Sequence, residues 1–210
     1  MDYLEKKMNV IFGPPGTGKT HKLLTIVEEG LDKGIEPNEI GYFAYTRKAA
    51  NEAITRAVDR FPQYDKKDFK YFRTLHSLAY MELGLTDSSL MDDNDYKEVS
   101  DKLKVKLSNP TNKYDNYGIG WQDDQFVKII DLARIKDVSL EHQFNQPETG
   151  HLPGGFLKLH KIASGLEKYK FQNGFLDFTD MILEFIKRKK APKLRLLIID
   201  EAQDLSTIQW

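Results

Sequence analysis

The sequence predicts an α/β fold, a parallel sheet flanked by helices that carries an inserted, mostly helical subdomain. Three observations lead there. Short apolar runs alternate with amphipathic stretches through residues 8–84, the rhythm breaks between 85 and 165, and a strongly apolar run at 194–199 restores it. Strands that alternate with helices pair in parallel, because each helix carries the chain back across the sheet.

Taken in order, residues 8–12 form a short apolar run ending at Gly13, and Leu23, Leu24, Ile26, Val27 and Leu31 then recur at helical spacing within 19–31. This reads as strand, glycine loop, helix. Gly34 and Pro37 punctuate the connection, after which 40–45 is a second strand and 48–58 a second helix. A third strand at 69–73 leads into a helix at 75–83, with Gly84 as its C-cap.

Between 85 and 165, helical stretches at 96–107 and 125–135 lie among polar loops rich in Asp, Asn and Gly. This segment holds ten Lys and Arg against thirteen Asp and Glu, so it offers no excess of positive charge to a polyanion. A helical pattern resumes at 156–170, an amphipathic helix follows at 177–187, and the strand at 194–199 ends in Asp200-Glu201. The expected domains are 1–84 with 166–210 as the α/β core and 85–165 as the insert. The basic run Lys187-Arg188-Lys189-Lys190 reads as a solvated turn that opposes the helix dipole.

Composition narrows the class without choosing a function. The 210 residues include 31 basic and 32 acidic side chains, for a formal net charge of −1, so any nucleic acid must be held locally and not by a global field. The absence of cysteine excludes disulfides, thiolate catalysis and cysteine-ligated zinc, and the five histidines, His21, His76, His142, His151 and His160, show no paired metal-ligand spacing. No apolar run approaches the roughly 20 residues that span a bilayer. A cytoplasmic protein with no membrane partner is expected.

Two motifs carry chemistry. Gly13-Pro14-Pro15-Gly16-Thr17-Gly18-Lys19-Thr20 fits G-x-x-x-x-G-K-T between an apolar run and a helix, the setting that a phosphate-binding loop requires. Glycines let backbone N–H groups converge on phosphate oxygens, and the helix N-terminus adds partial positive charge. Lys19 is expected to reach the β and γ phosphates of ATP, and Thr20 to present its hydroxyl to Mg²⁺.

The second motif is Asp200-Glu201. Alone, an acidic pair after a strand reads as a helix N-terminal charge pair. Beside a phosphate loop it reads as a metal-binding Asp200 and a Glu201 that orients and deprotonates water, which favours hydrolysis over transfer to a small acceptor. Lys19 and Asp200 stand 200 − 19 = 181 positions apart, a gap that the insert at 85–165 explains.

These blocks, with three others, resemble the UvrD, Rep and PcrA type of superfamily 1 DNA helicases. Ala44-Tyr45-Thr46-Arg47-Lys48-Ala49-Ala50 is similar to that family's motif Ia, Thr74-Leu75-His76-Ser77 to its motif Ib, and Asp200-Glu201-Ala202-Gln203-Asp204 to its motif II. Leu176-Asp177-Phe178-Thr179-Asp180-Met181-Ile182 resembles the segment by which the family's insert returns to the core.

The resemblance implies a RecA-like P-loop NTPase sheet and a single-stranded DNA groove lined by Tyr45, Thr46, Arg47, Thr74, His76 and Ser77. It also implies a Gln203 that couples the ATP site to that groove, and 3′-to-5′ translocation. On the residues alone, Tyr45 reads as a core aromatic and His76 as a helix-start residue bonded to backbone. The twelve residues before Gly13 contain no glutamine, so the family's adenine-reading residue is not matched. Motif III and a second RecA-like domain are expected downstream in a full-length protein, and this chain alone is expected to hydrolyse ATP poorly. A nucleotide-dependent single-strand-binding module, and a P-loop kinase or NTPase that does not act on nucleic acid, are the competing readings.

Overall fold

The computed structural model describes residues 8–14, 16–110, 123–150 and 152–210. Two compact units divide the chain: residues 1–82 with 190–205, and residues 83–189 with 206–210.

The first unit is a small parallel sheet with helices on it. Helix α1 (Lys19–Asp32) follows the glycine loop, strand β1 (Ile40–Phe43) follows a short 3₁₀ turn at Pro37–Glu39, and helix α2 (Arg47–Arg60) leads to strand β2 (Phe72–Arg73). Helix α3 (Leu75–Leu83) begins two residues after β2, and strand β3 (Leu196–Ile199) returns late in the chain. The strand order is β2-β1-β3, both pairings parallel, with Tyr42 opposite Phe72 on one side and Ile198 on the other.

The core of this unit joins Leu24, Ile26 and Val27 of α1 to Ile40 and Tyr42 of β1, Ile198 of β3, and Phe61, Phe69 and Phe72. Ala50, Ala53 and Ala57 form the buried stripe of α2, small side chains at helical spacing that let the helix lie close to the sheet. Gly30 does the same for α1. A Cβ there would stand 3.1 Å from Leu196 Cδ2.

The first expected strand, at 8–12, is not a strand. Met8, Val10 and Phe12 are exposed and only Ile11 packs against the core. An apolar alternation makes a strand only where a neighbour completes its ladder, and among the described residues 8–12 pairs with no strand. The third strand is also shorter than the expected 69–73, because a turn closed by Phe72 N–H to Phe69 C=O at 3.1 Å occupies its first half.

The second unit is helical: α4 (Asp93–Leu103), α5 (Asp124–Ile135), α6 (Leu140–Phe144), α7 (Gly155–Asn173) and α8 (Phe178–Arg188). Phe126, Ile129, Ile130, Leu159, Ile162 and Leu166 centre its core. Helix α4 starts earlier than the expected 96 because Asp92 caps it, accepting from Asn94 N and Asp95 N.

The compact units do not divide at 165/166, where the insert was expected to end. Helix α7 runs unbroken through that point, and the outgoing Ser89–Met91 segment pairs with the returning Leu176 through Leu176 N–H to Ser89 C=O (2.9 Å) and Met91 N–H to Leu176 C=O (3.0 Å). Residues 166–189 therefore belong to the helical unit. Lys187 and Arg188 lie in the last turn of α8, where Arg188 pairs with Glu184 at 2.6 Å and Lys189 ends the helix in the left-handed region.

Candidate functional site

The glycine loop is shaped by its own backbone. Gly16 and Gly18 hold φ of 81° and 80°, left-handed values that favour glycine. Gly13 is tight against the loop, since a Cβ there would meet Thr17 Oγ1 at 2.6 Å. Gly18 is the N-cap of α1 and its carbonyl accepts from Lys22 N at 2.9 Å, so the loop hands directly into a helix. No acidic residue occupies the first turn of α1, so no carboxylate of that turn offsets its positive end.

Lys19 folds back over the loop. Its ammonium donates to Gly13 C=O at 2.9 Å and Pro14 C=O at 3.4 Å, while Thr17 Oγ1 donates to Pro14 C=O at 2.8 Å. Thr20 is half-buried in the first turn of α1. Pro15, part of the predicted loop, lies outside the described residues.

At the C-terminal end of β3, Asp200 is buried with its N–H bonded to Phe43 C=O at 2.8 Å, which continues the β1–β3 ladder. Its Oδ2 accepts from the hydroxyl of Tyr42 at 2.8 Å. Tyr42 is fully buried, and burial together with the Asp200 charge raises its pKa far above the ordinary tyrosine value, so it stays a donor. Among the described residues no Lys, Arg or His forms an ion pair with Asp200. Sequence reasoning did not select Tyr42, whose buried strand position is ordinary for an aromatic residue.

Glu201 is exposed and holds φ 53° and ψ 45°, a left-handed conformation that costs a non-glycine residue about 1 to 3 kcal/mol. Its Oε2 accepts from Gln203 Nε2 at 2.6 Å, so two predicted residues engage each other directly. Among the described residues no group of three or more His, Asp or Glu forms a metal cage. The donors that are present suit Mg²⁺, which binds one or two protein oxygens and completes its shell with water and phosphate. Asp200 and Thr20 are such oxygen donors.

The other predicted residues follow the ends of β1 and β2, which lie side by side in the sheet. Tyr45 is 52% exposed just beyond β1, which removes the core-aromatic reading. Thr46 caps α2, accepting from Ala49 N at 3.1 Å, and Arg47 opens that helix exposed. Thr74 is buried and accepts from Ser77 N at 3.2 Å. Each threonine hydroxyl still has its proton to donate, but only Thr46 is exposed.

Arg73 Nη1 donates to both Ser77 C=O and Ser77 Oγ at 3.4 Å. His76 is half-buried, and burial together with the nearby Arg47 charge pushes its pKa down to about 4. It is therefore neutral at pH 7 and can offer a hydrogen bond but no charge. The structure thus brings Arg47 and His76 into electrostatic contact, though they are far apart in sequence.

The candidates converge on the carboxyl ends of three parallel strands, where ligands of open α/β sheets bind. That arrangement, with a glycine loop opening a helix in the same unit, defines an α/β domain with a small parallel sheet flanked by helices and a candidate ligand edge. The family model of the UvrD/REP helicase N-terminal domain matches residues 2–210, and the chain belongs to that family.

Two proteins of Mycoplasma pneumoniae are similar to it. A probable DNA helicase is 26% identical over 226 aligned positions, covering 97% of this chain and 40% of that protein. A probable DNA helicase II homolog is 27% identical over 226 positions, covering 98% of this chain and 30% of that protein. The chain thus spans well under half the length of either relative.

Proposed function

We propose that this chain is the ATP-binding and single-stranded-DNA-tracking portion of an ATP-dependent DNA helicase with a RecA-like core. The observation that carries the reading is the sheet order. With β1 central, Asp200-Glu201 stands on one flank of Tyr45-Thr46-Arg47, and Thr74, His76 and Ser77 stand on the other. A nucleotide site and a strand-binding groove would share one central strand.

In this reading the loop from Gly13 to Thr20 cradles phosphates with its N–H groups, and Lys19 exchanges its carbonyl partners for the β and γ phosphate oxygens. When bound, Mg²⁺ neutralises charge across those oxygens. Thr20 and Asp200 would hold it, and Glu201 would orient and deprotonate the attacking water. Gln203, bonded to Glu201, would report the state of the ATP site toward the groove.

Tyr45 would stack on a base, Arg47 would pair with a phosphate, and Thr46, Thr74, His76 and Ser77 would add neutral hydrogen bonds that position the strand without reading sequence. An arginine from a second RecA-like domain of a longer protein would stabilise the transferring phosphate, a contribution of about 10³ to 10⁵ in rate. Translocation would run 3′ to 5′.

The test is ATP turnover and single-strand affinity in the longer protein, with Lys19→Ala as the nucleotide-binding control. Tyr45→Ala is expected to weaken single-stranded DNA binding by about 1 to 3 kcal/mol for every sequence and to lower DNA-stimulated hydrolysis. Hydrolysis that DNA does not stimulate would favour a binding module. Substitutions at Tyr45 and His76 that change no activity would favour a phosphate-loop enzyme without nucleic acid.

A further inference from the structure

Tyr42 and Asp200 lie 158 positions apart, on adjacent strands, and meet through a single buried hydrogen bond. Tyr42 sits in the middle of the central strand, fully inaccessible, with its ring edge-on to Phe72 at 5.2 Å between centroids. Its hydroxyl reaches Asp200 Oδ2 at 2.8 Å. Asp200 is itself buried, and among the described residues this phenol is the one side chain that donates to it. A carboxylate in a poorly solvated place pays for its charge through each bond it forms. Here one oxygen is satisfied by protein and Oδ1 is left for another partner.

We propose that Tyr42 is a positioning residue for a cation: by holding Oδ2 of Asp200 it fixes the carboxylate rotamer and directs Oδ1 alone toward a nucleotide-bound Mg²⁺. The proposal rests on the reading of Asp200 as the Mg²⁺ ligand given above. Partners behind a ligand orient it, and their loss typically costs 10- to 100-fold in metal affinity. Without the hydroxyl, the carboxylate is free to rotate and Oδ2 loses the donor that holds it. Phe72 and Ile198, which flank Tyr42 across the sheet, cannot replace the lost donor.

The experiment is binding of a fluorescent ATP analogue across a Mg²⁺ series, and again in EDTA, to the wild-type chain and to Tyr42→Phe. The variant keeps the ring and its packing and loses one oxygen. The Mg²⁺ concentration that half-saturates tight nucleotide binding is expected to rise about 10- to 100-fold, with affinity in EDTA unchanged. In an Asp200→Asn background the same substitution is expected to add no further loss.

A Tyr42→Phe protein that folds, loses stability and keeps the wild-type Mg²⁺ dependence overturns the proposal and leaves the nucleotide site standing. A wild-type chain whose nucleotide binding ignores Mg²⁺ overturns both. If Tyr42→Phe does not fold, wild-type protein labelled with 3-fluorotyrosine gives the readout. Asp200→Asn identifies the Tyr42 resonance, and Mg²⁺ added to the nucleotide-bound protein must move it; a stationary resonance overturns the proposal.

Discussion

His76 illustrates how a single side chain changes its meaning on folding. Its sequence context permits a cationic phosphate contact, but burial and the Arg47 charge push its pKa down to about 4 from the ordinary 6.5. The unfolded chain therefore binds a proton that the folded chain refuses between pH 6.5 and 4. Stability must fall as pH drops through that window and be unaffected above it. Against His76→Gln, the wild-type protein is expected to lose about 1 to 3 kcal/mol of unfolding free energy between pH 7 and pH 4. Denaturant titrations at the two pH values check this, and equal pH slopes would refute the buried neutral imidazole. Tyr45 moved the other way. Its residue type alone suggested core, and its 52% exposure puts an aromatic face on the surface.

At the scale of elements, the start of α8 is heavily bonded. Asp177 caps it by accepting from Asp180 N, and Asp177 also takes two bonds from Arg134, at 2.8 and 3.0 Å, and one from Lys170 at 2.5 Å. Burial alone would raise Asp177, but the bonds from Arg134 and the charges of Lys170 and Arg134 outweigh it and hold the carboxyl below the ordinary range. Lys170 also reaches Asp180 at 2.7 Å, and Arg134 pairs with the same residue. Helices α5, α7 and α8 are thereby tied through two cations.

Asp131 is the costly member of that network. Burial, then the Asp177 charge, raises it to about 6. The folded state therefore holds its proton through a range where the unfolded chain has released it, and stability falls as pH rises from about 4 to 6. Asp131→Asn keeps an oxygen for Thr179 and Arg134 and removes the charge. It is expected to stabilise the protein by about 1 to 3 kcal/mol at pH 7 to 8 and by almost nothing at about pH 3, below both values. Thermal unfolding at both pH values decides, and an equal gain at about pH 3 would contradict the assignment.

For the molecule as a whole, a formal net charge of −1 leaves no long-range field to hold DNA. Of the residues at the candidate groove, Arg47 carries charge, with Lys48 exposed beside it, while His76 is neutral. Each phosphate neutralised on a single strand contributes about −0.7 to the slope of log affinity against log salt. A slope of about −1 is expected for this chain. One steeper than about −3 would reveal a larger basic surface than these residues provide.

Local rules explain what was legible before folding. The glycine loop is read directly because its geometry is short-range: left-handed glycines at 16 and 18, a tight Gly13 and a lysine six residues on are neighbours in the chain. The alternation of strands and helices, the parallel sheet and the apolar strand before Asp200-Glu201 were legible for the same reason.

Tertiary structure decided what depends on partners distant in sequence. Whether residues 8–12 form a strand depends on a neighbouring ladder, so their apolar pattern could not settle it. The extent of the helical unit was set by α7 and by the pairing of Ser89–Met91 with Leu176, contacts with no local signature. The same holds for the neutral His76 beside Arg47 and for the bond between Tyr42 and Asp200. Sequence by itself determined the family, because its signature is written in consecutive residues. Only the packed sheet decided which oxygen of Asp200 is engaged and pushed the pKa of His76 down, because burial and distance exist only after the strands have come together.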